Sequence, residues 1–170
     1  MVAWRILAPV LAGMLGSCAS APSGAVDGFE ADRYLGQWYE VARMDFYFEK
    51  GMNNTTANYA KNPDRSIRVL NRGFDTLKKQ WKSAEGTAKF RGSASKAELK
   101  VSFFGPFYAD YNVVALDSLY RHALVTGRNL DYLWILSRDK SLPPQVRKDY
   151  LERAAALGYD TAKLVWVRHD

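Results

Sequence analysis

Gly36-Gln37-Trp38-Tyr39-Glu40-Val41-Ala42-Arg43 is the stretch on which the fold turns. A turn glycine leads into a run whose alternate side chains point to opposite faces, as the two-residue period of a strand requires, and its tryptophan opens an apolar core. Similar segments follow at regular spacing. Residues 55–60 end at Asn62-Pro63-Asp64, 66–74 at a polar break, and 80–90 at Arg91-Gly92-Ser93. Residues 97–104 run into Gly105-Pro106, 110–116 meet Asp117-Ser118, 122–127 turn at Arg128-Asn129, and 130–137 complete the set. Eight antiparallel strands with hairpin-scale connections predict an up-and-down barrel, wide enough to enclose one small ligand.

Charged positions set the inward face. In Glu98-Leu99-Lys100-Val101-Ser102-Phe103, Leu99, Val101 and Phe103 must point in while Glu98 and Lys100 face water. The same parity places Tyr111, Val113 and Ala115 inside on the next strand. Both faces of Tyr132-Leu133-Trp134-Ile135-Leu136-Ser137-Arg138 are apolar, so its outer face is covered too. A helix that starts at Pro143-Pro144 and stops before Gly158 supplies the cover. Its stripe of Val146, Tyr150, Ala154 and Leu157 would bury Leu133 and Ile135. Residues 162–167 add a short ninth strand beside the first. The expected class is therefore all-β: an eight-stranded antiparallel up-and-down barrel with a C-terminal α-helix packed outside.

The 170 residues suffice for one domain with a real core. The formal charge of +6 suits anionic partners such as lipid headgroups or fatty carboxylates, or equally a solvated basic surface. No run of Lys and Arg marks a nucleic-acid site, because acidic residues are interspersed throughout. A single cysteine closes no intramolecular disulfide.

Its position is informative. Residues 1–17 carry Arg5 and then an apolar run over 6–15, the layout of a secretory signal peptide. The run ends Leu15-Gly16-Ser17-Cys18, which resembles the bacterial lipoprotein box. That resemblance implies cleavage before Cys18, lipid attachment to its sulfur and amine, and, with Ala19 following, the outer membrane. An ordinary signal peptide with an incidental cysteine is the alternative. Residues 18–29 then form the lipidated cysteine and a tether, 30–35 include a helical turn at the barrel floor, and 30–170 form the folded domain. The loop 44–54, with Phe46, Tyr47, Phe48 and Met52, either packs over the mouth or makes a contact surface.

Three motifs carry a wider resemblance. Gly36-Gln37-Trp38 resembles the first signature of the lipocalin family, in which the tryptophan plugs the closed end of the barrel. At the second, Leu116-Asp117-Ser118 keeps only the aspartate of the usual threonine-aspartate-tyrosine. The wider run from Tyr111 to Val125 resembles the bacterial outer-membrane lipoprotein lipocalins. The third is Arg138 closing the eighth strand, whose guanidinium the resemblance stacks over Trp38 as a structural floor. Residues 44–54 correspond to the family's loop over the open end.

No catalytic residue, metal ligand set or cofactor motif emerges. His122 and His169 lack ligand spacing to a second His or Cys, and His122 is expected on the outer surface. Neither a Gly-x-Ser-x-Gly elbow nor a Cys-His pair is found. Glu40 shares the parity of Trp38, so an inward carboxylate there needs a tyrosine hydroxyl, a cation or water, in a structural role. The expected ligand site is lined by Leu99, Val101, Phe103, Tyr111, Val113 and Trp134, with Tyr108 and Tyr111 towards the open end. The resemblance implies a fatty acid or lysophospholipid as ligand, stored or transported by a protein that is lipid-anchored in the outer membrane and faces the periplasm. A lipid-modifying enzyme and an envelope scaffold without ligand are the rival classes. A homodimer through the aromatic loop is left open.

Overall fold

The structure, a computed structural model, describes residues 24–170; the predicted leader, Cys18 and the first part of the tether lie outside the described residues. A short helix α1 (Ala31–Tyr34) precedes β1 (Gly36–Met44). The strands that follow are β2 (Met52–Lys61), β3 (Ile67–Asp75), β4 (Gln80–Phe90), β5 (Glu98–Phe104), β6 (Phe107–Leu116), β7 (His122–Thr126) and β8 (Leu133–Ser137). All eight run antiparallel to their sequence neighbours, and β1 also pairs with β8, so the sheet closes on itself. Helix α2 (Pro144–Ala156) and strand β9 (Leu164–Trp166) complete the chain, β9 pairing with the free stretch of β1 at Ala42, Arg43 and Met44.

Closure removes both sheet edges and creates two apolar layers. The inner layer holds Trp38, Ala57, Tyr59, Ile67, Val69, Ala88, Leu99, Val101, Val113, Val125 and Leu136. The outer layer lies between β1, β6, β7, β8 and α2 and contains Val41, Val114, Leu124, Leu133, Ile135, Tyr150 and Ala154. Leu133 and Ile135 are thus covered by the helix, as their two-faced strand predicts. Tyr150 also donates a hydrogen bond to the carbonyl of His122 at 2.8 Å, fixing α2 against β7. The helix begins on Pro144 at its first position and stops ahead of Gly158, whose φ of +94° is open to glycine at little cost.

Four expectations need correction. Two strand bulges, one between Glu40 and Ala42 and one between Val113 and Ala115, each shift the alternation by a residue. Ala115 therefore packs in the outer layer and Leu116 returns to the inner one. Leu157 caps the helix and stays 37% exposed, because it lies past the last turn that faces the barrel. His122 is on the outer side of the wall, as expected, but it is buried rather than on the surface. The last correction is at the tether, where residues 25–29 belong to the folded unit. Val26 exchanges hydrogen bonds with Val113 and Ala97, Asp27 bridges Lys96, and Phe29 is buried against Tyr34, Phe90 and Tyr120.

Candidate functional site

The closed end is built from the Trp38 indole. Its side chain is fully buried, and Nε1 donates to the Tyr34 carbonyl at 2.8 Å. The Arg138 guanidinium lies 3.9 Å from the centre of the ring. A helix as short as α1 leaves its carbonyls unpaired, and Arg138 answers them. It donates to the carbonyls of Arg33, Tyr34, Leu35 and Gln37 at 3.1, 3.2, 2.9 and 2.8 Å, and through Nε to that of Tyr120. The floor expected from Trp38 and Arg138 is therefore present, and it also locks the helical turn to β8.

Above the floor three tyrosine hydroxyls meet. Tyr111 bonds Tyr34 and Tyr59, each at 2.8 Å, and the Tyr34 ring lies 4.7 Å from that of Trp38. Burial pushes all three phenols further above their ordinary range, so they remain neutral hydrogen-bonding groups. Together with Phe29, Ile67, Ala88, Leu99 and Val101 they surround an enclosed space of only about 10 Å³, enough for about one water. The lower barrel is a packed core. Leu99, Val101 and Tyr111 border that space, and Val113 is fully buried in the same layer. Phe103 and Trp134 are half-buried against the inner layer.

A polar cluster interrupts the wall nearer the mouth. Because of the bulge in β1, Arg43 comes to the side of the wall where Glu40 lies and bonds its carboxylate at 2.7 Å. It also donates to the carbonyls of Glu49 and Met52, while Thr55 donates to Glu40 at 3.2 Å. Glu49 reaches in from the loop between β1 and β2 and accepts from Trp134 Nε1 at 3.2 Å. Burial raises the Glu40 carboxyl above its ordinary value, opposed by the Arg43 guanidinium. Burial, reinforced by the nearby Glu40 charge, raises that of Glu49 further. One arginine serves both carboxyls, so the pair resists carrying two negative charges at once. On β3, opposite Ala57 of β2, the buried Asn71 Oδ1 has no protein partner.

The structure thus brings together six of the seven residues expected to line the site and separates one. Tyr108 faces the other side of the wall, with the Lys100 ammonium 4.8 Å above its ring. The two-residue period explains this, since Tyr108 is an odd number of positions from Tyr111. Tyr111 itself lies towards the floor and not the mouth, tied to α1 through Tyr34. Sequence reasoning missed Tyr34, Tyr59, Arg43 and Glu49. Tyr59 was accessible through its alternation with Ala57 on β2. Arg43 was hidden by the bulge, and Tyr34 and Glu49 sit outside any periodic segment.

This geometry meets its relatives at the level of whole sequences. The family described as the lipocalin-like domain matches residues 29–169. The outer membrane lipoprotein Blc of Escherichia coli (strain K12) is 45% identical over 167 residues, covering 96% of this chain and 94% of that protein. The protein of the same name from Vibrio cholerae serotype O1 is 43% identical over 160 residues, covering 92% and 94%. Among solved structures, insecticyanin from the tobacco hornworm Manduca sexta superposes with a TM-score of 0.70 at 20% identity, over 86% of this chain and 84% of that one, a likeness of fold. The chain belongs to the lipocalin family, whose members bind small hydrophobic molecules. Within that family it is a bacterial lipoprotein, lipid-anchored at the outer membrane.

Proposed function

We propose that the barrel carries a membrane-derived lipid, a fatty acid or a lysophospholipid, for storage or transport at the periplasmic face of the outer membrane, and that it performs no chemistry on its cargo. In this reading residues 1–17 are removed and Cys18 bears the acyl anchor. The observation that carries the reading is the pair of half-buried aromatics, Trp134 and Phe103, continuous with the apolar wall of Leu99, Val101 and Val113. Removing a hydrocarbon tail from water against such a wall contributes about 25 cal/mol per Å². The space beside Tyr111 is far below the roughly 300 Å³ of ordinary ligand pockets. A long tail therefore lies in the upper half against Trp134 and Phe103, or enters deeper only as Tyr111 and its neighbours turn aside. The unpartnered Asn71 Oδ1 favours a ligand with a hydrogen-bond donor at its polar end.

The test is a titration of residues 19–170 with lysophospholipid or a long-chain fatty acid, read by tryptophan fluorescence. A saturable change that disappears in Trp134→Phe is expected. A flat response in the parent, or an unchanged one in Trp134→Phe, removes Trp134 from the site. Mass spectrometry of the lipid recovered after incubation is expected to return it intact, and any product would transfer the barrel to the enzymes.

A further inference from the structure

The open end of the barrel is also its most apolar exterior. Tyr47 and Phe48 in the β1–β2 loop are 86% and 74% exposed, Leu77 in the β3–β4 turn 86%, and Phe104 and Phe107 at the β5–β6 turn 72% and 77%. Trp81, just after the β3–β4 turn, is half exposed. The β1–β2 and β3–β4 tips belong to one surface. Gly51 accepts hydrogen bonds from the backbone N–H and hydroxyl of Thr76, joining the first two loops. Phe46 lies tilted against Tyr132 at 5.5 Å and edge-to-face with Trp134 at 5.6 Å, joining the first to the β7–β8 turn. Up-and-down connectivity puts the β5–β6 turn at the same end. At the closed end, by contrast, Leu119 is the large apolar side chain left exposed among the described residues.

The charges interleaved with these tips favour one sign. Lys50, Lys78, Lys79 and Arg128 are exposed in the same loops, against Asp45 and Asp131 as the exposed acids. Aromatic tips with cationic neighbours match the interface of a bilayer, where rings sit at headgroup depth and lysines meet anionic lipid. We propose that the rim formed by these four turns docks the barrel mouth-down onto an anionic lipid surface, with Tyr47, Phe48 and Leu77 entering the headgroup layer. The inference stands apart from the ligand reading, since it concerns the exterior of the loops and holds whether or not the lumen is filled. The basic excess favours the bilayer over a second copy of the chain, which would bring like charges together.

A depth measurement on the purified full chain decides it. The chain is bound to vesicles of mixed phosphatidylcholine and phosphatidylglycerol, with bromine on the lipid acyl chains as quencher. An added tryptophan in Phe48→Trp, after subtraction of the parent signal, is expected to be quenched severalfold more than one in Leu119→Trp. Lys78→Glu with Lys79→Glu is expected to reduce that quenching, and both sites keep the parental near-ultraviolet spectrum because they are exposed. Equal quenching at the two positions, or none at position 48, overturns the proposal. So does shielding of position 48 from aqueous iodide without bromolipid quenching, which would give the rim to a second copy. A flat lipid titration of residues 19–170 would leave this result standing, so the two readings fail separately.

Discussion

Arg138 shows how much one side chain can hold. Its fork serves carbonyls on α1, β1 and the β6–β7 turn while its face covers the Trp38 indole. Lysine keeps the charge but not the planar, multiply donating geometry. Arg138→Ala is expected to lower unfolding free energy by about 2–4 kcal/mol, from a lost cation–π contact and stranded carbonyls, with Arg138→Lys recovering less than half. Urea denaturation measures both. The Glu40–Arg43–Glu49 cluster makes a prediction of opposite character. A carboxyl whose folded pKa lies above its unfolded value stabilises the fold fully at low pH, and that contribution is lost as pH rises from the ordinary carboxylate range through the raised value. Glu49→Gln places a permanently neutral group beside Trp134 and should flatten this decline, giving a variant at least as stable as the parent at neutral pH. Asp75 works the other way, because hydrogen bonds from Lys82 and the Lys78 backbone hold its carboxyl down at about 2. Its stabilising share is complete above the ordinary carboxylate range and disappears as pH falls towards 2. Asp75→Asn should remove that acid limb from a plot of stability against pH.

At the scale of elements, β8 and α2 form the covered side of the wall. Leu133→Ala opens a void between β8 and α2 and should cost about 2–5 kcal/mol in chemical denaturation. At Gly86 on β4 the backbone runs so close to β5 that an added Cβ would lie 2.6 Å from the Ser102 carbonyl oxygen and 2.8 Å from the Phe103 ring. Gly86→Ala must therefore push back β5 and its Phe103 ring, and lost stability in chemical denaturation is the expected sign. Elements of this kind were largely legible in advance. Alternation on β5 announced Leu99 and Val101, the proline start and glycine stop bracketed α2, and the two-faced apolar run of β8 required an outer cover. Register was not legible past a bulge. Nothing in Glu40-Val41-Ala42-Arg43 states that two consecutive residues face out, so Arg43 entered the wall unannounced, and the second bulge, between Val113 and Ala115 on β6, took Ala115 out of it in the same way. Tertiary partners alone decide where such an extra residue is tolerated. The width of the lumen was equally hidden, because periodicity reports which side chains point inward and not how far three tyrosines can fill the middle.

The whole molecule is held together by closure of one sheet and not by covalent links. The single cysteine leaves no intramolecular disulfide to lose, so thiol reductant should leave the melting temperature unchanged. The final pairing joins residues far apart in the chain, with Tyr39 opposite Ser137. Such non-local pairing is entropically slow to form, and refolding followed by tryptophan fluorescence should take milliseconds to seconds. The indole stopper and its arginine clamp have a consequence for traffic. A vessel sealed at the bottom has a single doorway, so loading and unloading share one route and a second passenger cannot push the first through. For the lipid cargo proposed above, an occupant would have to back out before its successor enters, making exchange strictly sequential and tying every hand-off to whatever stands at the threshold.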